Sequence, residues 1–272
     1  MGPNRVEGDG GRAAAFFDLD KTLMAGSSGM VFARVAGRHG LVSRRQLARW
    51  GRDHIRFRLR GATDDETKEL LKVARETFKG VPQREITRMG PEVLAGILPR
   101  IYPEMLEEVH HHQDEGRATF IVSAAGNEMV AQLAEVLGME GGIGTAYEVS
   151  PESGLYTGEL RGPFVYGKGK VEAMQRYADE HEIDLASSFA YSDSVSDLPM
   201  LKAVGNSVVV NPDQALLEIA KGEGWRVMRF EKLGRRLKIM GATALAAAIG
   251  GSGRALIARR RQNRRRRGVR AR

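Results

Sequence analysis

The 272-residue sequence predicts an α/β protein, a doubly wound parallel sheet with an inserted helical cap. Three observations predict it. Four short apolar runs, Ala13 to Phe17, Ala118 to Val122, Ser188 to Tyr191 and Ser207 to Val210, have the length and composition of buried parallel strands. Helical periods separate them, which is the alternation of an α/β chain. Three of the runs lead into polar groups, Asp18, Ser123 and Asp193, and an open parallel sheet gathers its ligands in the crevice outside the carboxyl ends of its strands.

The first run delivers Asp18-Leu19-Asp20-Lys21-Thr22, followed by a turn at Gly26. Residues two apart share a face within a strand, and beyond its end both carboxylates can point into the crevice. Such a pair can divide its work. One carboxylate stays ionised beside a cation and attacks phosphorus, while the other holds a proton for the leaving oxygen. A solvated turn would carry the same letters, so this motif takes its meaning from the others. From Ser28 to Pro99 the strand signal stops and helical periods take over, with Asp64 to Glu66 as a capped start and Gly80 with Pro82 as a stop. Residues 28–99 therefore read as the cap. A Rossmann-like core remains, discontinuous in sequence, from 13–27 and 100–230, with 1–12 as a disordered N-terminus and 231–272 as a basic tail.

The second run ends in Ile121-Val122-Ser123-Ala124-Ala125-Gly126. Ser123 Oγ and backbone N–H groups at a following helix start suit a phosphate oxygen, although an ordinary N-cap serine would look the same. Gly167-Lys168-Gly169-Lys170 offers an ammonium group, and Lys170 is preferred because Met174, Tyr177 and Ala178 follow it as a packed stripe. The third run opens into Tyr191-Ser192-Asp193-Ser194-Val195-Ser196-Asp197. Magnesium is commonly held by one or two carboxylates with waters and substrate phosphate. Asp193 is the candidate ligand, and Asp197 is placed to orient a water or the nucleophile.

Composition narrows the chemistry. Apolar and charged fractions of 42% and 28% are those of globular chains, which excludes a fibrous or mostly disordered protein. The absence of cysteine excludes disulfides, zinc–thiolate sites and thiol nucleophiles, leaving oxygen chemistry. The opening MGPNRVEGDGGR has no apolar segment of the secretory kind, so a cytoplasmic location is expected. Residues 232–272 carry 14 Lys and Arg and no acid, against 28 basic and 34 acidic groups before them, so a body of net −6 precedes a tail of +14.

The four groups, in this order and each at a strand end or helix start, resemble the haloacid dehalogenase superfamily, specifically subfamily IB, the phosphoserine phosphatase-like hydrolases. The resemblance covers residues 13 to 215, including Gly154-Leu155-Tyr156-Thr157-Gly158 before the lysine. It implies a phosphomonoesterase with Asp18 as nucleophile and Asp20 as proton shuttle. It also implies phosphate contacts from Thr22, Ser123 and Lys170, a supporting Asp197, and Mg²⁺ on the Asp18 carboxylate, the Asp20 carbonyl and Asp193. The expected partner is a small-molecule phosphomonoester.

The sequence departs from phosphoserine phosphatases at Ser27, where they carry a Glu nine residues after the nucleophile. No acid occurs from Lys21 through Arg52, which argues against an aminated substrate. Arg44, Arg45, Arg49, Arg52, Arg56, Arg58 and Arg60 form either a solvated face opposite Leu47, Trp50 and Phe57 or an entrance for polyanions. The apolar stretch 239–251 is thirteen residues long, about 20 Å as helix against a hydrocarbon core of about 30 Å, too short to span. Flanked by basic residues, it can lie at an anionic membrane surface on the inner face or pack on the body. These features keep two alternatives open: a membrane-associated phosphatase for a lipid phosphate of the phosphatidylglycerophosphate or lysophosphatidate type, and an inactive module binding nucleic acid through its arginines. The intact set of acids makes nucleic acid the weaker partner.

Overall fold

The computed structural model describes residues 11–42 and 64–230. The arginine face at 44–60 and the tail from 231 fall outside the described residues, as does most of 1–12. The chain divides into a unit ending at Met228 and a second unit, Arg229–Arg272.

The first unit is built on β1 (Ala14–Asp18), β2 (Ala118–Gly126), β3 (Gly141–Thr145), β6 (Phe189–Ser192), β7 (Asn206–Val210) and β8 (Arg226–Met228). They form one six-stranded sheet in the order β3-β2-β1-β6-β7-β8, and every pairing is parallel. A short antiparallel pair, β4 (Tyr147–Val149) with β5 (Tyr156–Leu160), stands apart from it. The strand order runs outward in both directions from β1 and β6, so the topological switch point lies between these two. That is where a doubly wound sheet opens its ligand crevice.

Between β1 and β2 come α1 (Ser28–Arg38), α2 (Asp64–Phe78) and α3 (Gln83–Ile97), then a 3₁₀ turn at Leu98–Arg100 and α4 (Pro103–Asp114). Among the described residues the α-helices that follow β2 are α5 (Asn127–Val136), α6 (Lys168–Glu180), α7 (Leu198–Lys202) and α8 (Gln214–Glu223). Two edge strands were not expected. β3 is glycine-rich, Gly-Gly-Ile-Gly-Thr, a composition that weakens any strand signal, and its glycines are needed because a Cβ at Gly142 would lie 2.6 Å from the Val130 carbonyl. β8 is only three residues long.

Alternation along β1 builds two cores. Phe16 faces one layer, stacked on Phe120 at 5.5 Å and packed with Met174, Met200, Leu201 and Leu216 from α6, α7 and α8. Phe17 faces the other, stacked on Tyr191 at 4.4 Å and edge-on to His112 of α4. Both rings are fully buried, worth about 2–3 kcal/mol each in transfer terms. This double burial explains why β1 reads as a continuous apolar run, and it fixes the strand that ends in Asp18.

His112 sits in a buried hydrogen-bonded relay. Arg117 donates to His112 Nδ1 at 3.0 Å, so Nε2 carries the proton and donates to Tyr191 OH at 2.7 Å. Tyr191 in turn donates to Glu108 at 2.9 Å, and Arg226 grips the same carboxylate through two bonds. Burial, helped by Arg117, pushes the His112 imidazole down to about 4. His112 is thus held by core polar pairing, which helical periodicity does not reveal.

Candidate active site

Register places the acids. Phe17 pairs with Tyr191 across β1 and β6, so Asp18 and Asp193 emerge from neighbouring strands at the switch point. Asp18 is buried at the end of β1. Lys170 enters from the first turn of α6, where its Nζ lies 2.6 Å from Asp18 Oδ1 and 2.7 Å from Asp197 Oδ2. All three side chains are buried, so water screens the triad little. The approach of α6 requires glycine at 169, where a Cβ would stand 1.9 Å from the Phe164 carbonyl oxygen.

Burial raises the Asp18 carboxyl to about 7, because desolvation and the nearby Asp197 and Asp193 charges outweigh the Lys170 ammonium. Burial alone would lower Lys170, but the Asp18 and Asp197 carboxylates outweigh it and hold the ammonium charged. Asp193 is raised to about 6, again chiefly by burial, against the opposing charge of Lys21 and with Asp197 adding to the rise. The pocket therefore contains more negative charge than its own lysines neutralise. A hard divalent cation is the chemical complement of that surplus, and it needs only one or two carboxylates. Among the described residues no set of three or more acids or histidines converges on a metal position. The donors that fit are Asp18 and Asp193, with backbone oxygen to complete the set.

The other expected residues take distinct positions. Asp20 Oδ1 accepts the Ser28 backbone N–H at 2.8 Å, which ties the carboxyl to the start of α1. Thr22 is fully buried, and its hydroxyl has no hydrogen-bond partner among the described residues. Ser123 does not start a helix. β2 continues to Gly126 and α5 begins at Asn127, while Ser123 Oγ accepts the Ala125 N–H at 3.3 Å. Ser27, the departure from the phosphoserine phosphatase pattern, is the N-cap residue of α1 and makes no side-chain cap bond.

Sequence reasoning missed two members of the cluster. Ser192, fully buried, donates to Asp197 Oδ2 at 2.8 Å and so fixes the carboxylate that holds Lys170. Lys21 places its ammonium 3.6 Å from Asp193 Oδ2. Both stood inside motifs already singled out, at positions that carried no assigned role. A cavity of about 310 Å³ between α2 and β5 shares no residue with this cluster and is lined by Lys68, Lys72, Arg75 and Lys79 opposite Glu76 and Glu159. It holds no group suited to the chemistry of the acids.

Comparisons with known proteins give the chain a family. The haloacid dehalogenase-like hydrolase family matches residues 15–202. The phosphoserine phosphatase SerB1 of Mycobacterium tuberculosis is 33% identical over 255 residues, covering 93% of this chain and 82% of that protein. The histidinol-phosphatase of Neisseria meningitidis is 29% identical over 221 residues, covering 80% of this chain and 98% of its own length. A substrate-bound phosphoserine phosphatase structure superposes with a TM-score of 0.59 at 19% identity over 84% of this chain and 98% of that one, a likeness of fold. The chain belongs to the haloacid dehalogenase-like hydrolase family, as a phosphatase of its phosphoserine phosphatase-like branch.

Proposed function

We propose that the protein is a magnesium-dependent phosphomonoesterase that passes the phosphoryl group through a covalent aspartyl-phosphate on Asp18. The observation that carries this reading is the buried Lys170 ammonium, held between Asp18 and Asp197 at 2.6 and 2.7 Å where β1 and β6 diverge. A carboxylate so placed has a fixed direction of attack, and the ammonium offsets charge on the transferring group.

Asp18 attacks phosphorus as the bond to the alcohol oxygen breaks, and Asp20 gives that oxygen its proton. Asp20 then takes a proton from the water that cleaves the acyl phosphate and restores Asp18. The Ser28 N–H bond keeps one oxygen of Asp20 engaged and leaves the other for proton transfer. Ser123 and Thr22 are the hydroxyls assigned to phosphate oxygens. Asp18, Asp193 and the Asp20 carbonyl would hold magnesium, which would supply positive charge to the phosphoryl oxygens.

The substrate class is an anionic small-molecule phosphomonoester. Phosphoserine and histidinol phosphate, named by the two relatives, are the first compounds to screen. Ser27 supplies no carboxylate for an ammonium group, so their amino groups would need another partner. The test is phosphate release from a generic aryl phosphate, with and without Mg²⁺, by the intact protein and by Asp18→Asn. Release that needs the metal and is lost in the variant supports the reading. Release that persists in Asp18→Asn removes the nucleophile assignment.

A further inference from the structure

We propose that Lys21 is a built-in competitor for the metal position: its ammonium pairs with the Asp193 carboxylate and must turn away for a divalent cation to bind there. The inference rests on the metal reading above and adds a residue that sets metal affinity and couples it to the anionic substrate.

Three observations carry it. First, the ammonium sits 3.6 Å from Asp193 Oδ2, the oxygen set expected to take the cation. A divalent cation on the same carboxylate would stand within a few ångström of this ammonium and be repelled by it. Second, the Lys21 backbone is left-handed, with φ at 62°, a region that suits glycine and is uncommon for a long side chain. The turn enforces this. Leu23 N–H bonds back to the Asp18 and Leu19 carbonyls, and Met24 N–H to Leu19, so the Cα is pinned between the nucleophile strand and the Asp193 turn. Strain of this kind persists where the surroundings over-determine it, typically at a working site. Third, the Lys21 side chain is 29% exposed, whereas Lys170 is 3% exposed. Lys170 is locked between two carboxylates. Lys21 has one partner oxygen in this ion pair and four flexible methylenes, so it can turn off Asp193 without moving the backbone.

The displaced ammonium then projects into a crevice where the arriving group is a phosphate ester. Metal loading and anion binding become linked: the cation releases Lys21, the anion gives it a new partner, and each favours the other reciprocally. Lys170 and Lys21 thus take separate tasks, one holding the nucleophile and the other exchanging between carboxylate and substrate.

The test is direct titration of the full-length protein with Mg²⁺, by calorimetry and by thermal shift, comparing the intact protein with Lys21→Met, Lys21→Gly and Lys21→Arg. Glycine relieves the left-handed backbone, so this variant is expected to fold even if the methionine variant does not. The proposal expects Lys21→Met and Lys21→Gly to bind Mg²⁺ about three- to tenfold more tightly, the size of a partly exposed ion pair plus the removed repulsion. Lys21→Arg should stay within about twofold of the intact protein, since the charge remains. Inorganic phosphate should tighten Mg²⁺ binding in the intact protein more than in Lys21→Met. Unchanged or weaker Mg²⁺ binding in the methionine and glycine variants would overturn the proposal while leaving the metal reading in place. No Mg²⁺ binding by the intact protein would overturn both.

Discussion

Removing divalent cations should make this protein less stable as pH rises, because two buried carboxyls are raised above their ordinary values. Asp18 moves from 3.8 to about 7 and Asp193 from 3.8 to about 6. The folded state therefore holds their protons more tightly than the unfolded chain. Stability from this source is full below about 3.8 and is lost as pH climbs through 7. For Asp18 the whole change amounts to roughly 4 kcal/mol, of which roughly 2–3 kcal/mol falls between pH 5 and pH 8. His112 works in the opposite sense. Its folded value near 4 lies below 6.5, so its contribution is present above 6.5 and lost as pH falls toward 4. Comparing the intact protein with Asp18→Asn cancels the histidine, since both retain it, and the amide oxygen can still accept from Lys170. Urea unfolding with a chelator should show the intact protein losing roughly 2–3 kcal/mol more than Asp18→Asn from pH 5 to pH 8. Mg²⁺ at pH 8 should recover most of that difference by binding the folded state. Parallel pH profiles for the two proteins would refute the reasoning.

Lys170→Met should cost about 3–5 kcal/mol, since it leaves Asp18 and Asp197 buried without their shared cation, and turnover should fall with it. Normal unfolding of that variant would contradict the account of the triad. Tyr191→Phe removes the hydroxyl between His112 and Glu108 and should cost about 1–3 kcal/mol of stability with little change in kcat. A lost kcat with stability intact would move the relay from support of β1 into the chemistry.

Much of this fold was legible because burial on both faces leaves a continuous apolar signature. β1, β2, β6 and β7 were found within a few residues of their observed ends for that reason. β3 escaped because it is rich in glycine, of which Gly142 and Gly144 serve close packing against α5, and β8 because three residues carry no period. The acidic residues could be named from their places after strands, since a parallel sheet leaves few other uses for carboxylates there. Their charge balance could not. Which ammonium reaches which oxygen depends on register between β1 and β6 and on the approach of α6, so the triad with Asp197 and the pairing of Lys21 with Asp193 appear only in three dimensions. Ser123 shows the converse: its position was anticipated, but β2 runs three residues past it instead of turning into a helix.

The central claim is that phosphorus becomes bonded to Asp18. The direct measurement is mass spectrometry of acid-quenched Asp20→Asn protein after incubation with an aryl phosphate and Mg²⁺, since that variant should form the acyl phosphate faster than water cleaves it. A phosphate adduct on the peptide bearing Asp18, absent when Asp18 is also changed to Asn, is the predicted result. Turnover by the intact protein with no adduct on that peptide, under conditions where acyl phosphates survive, would contradict the account.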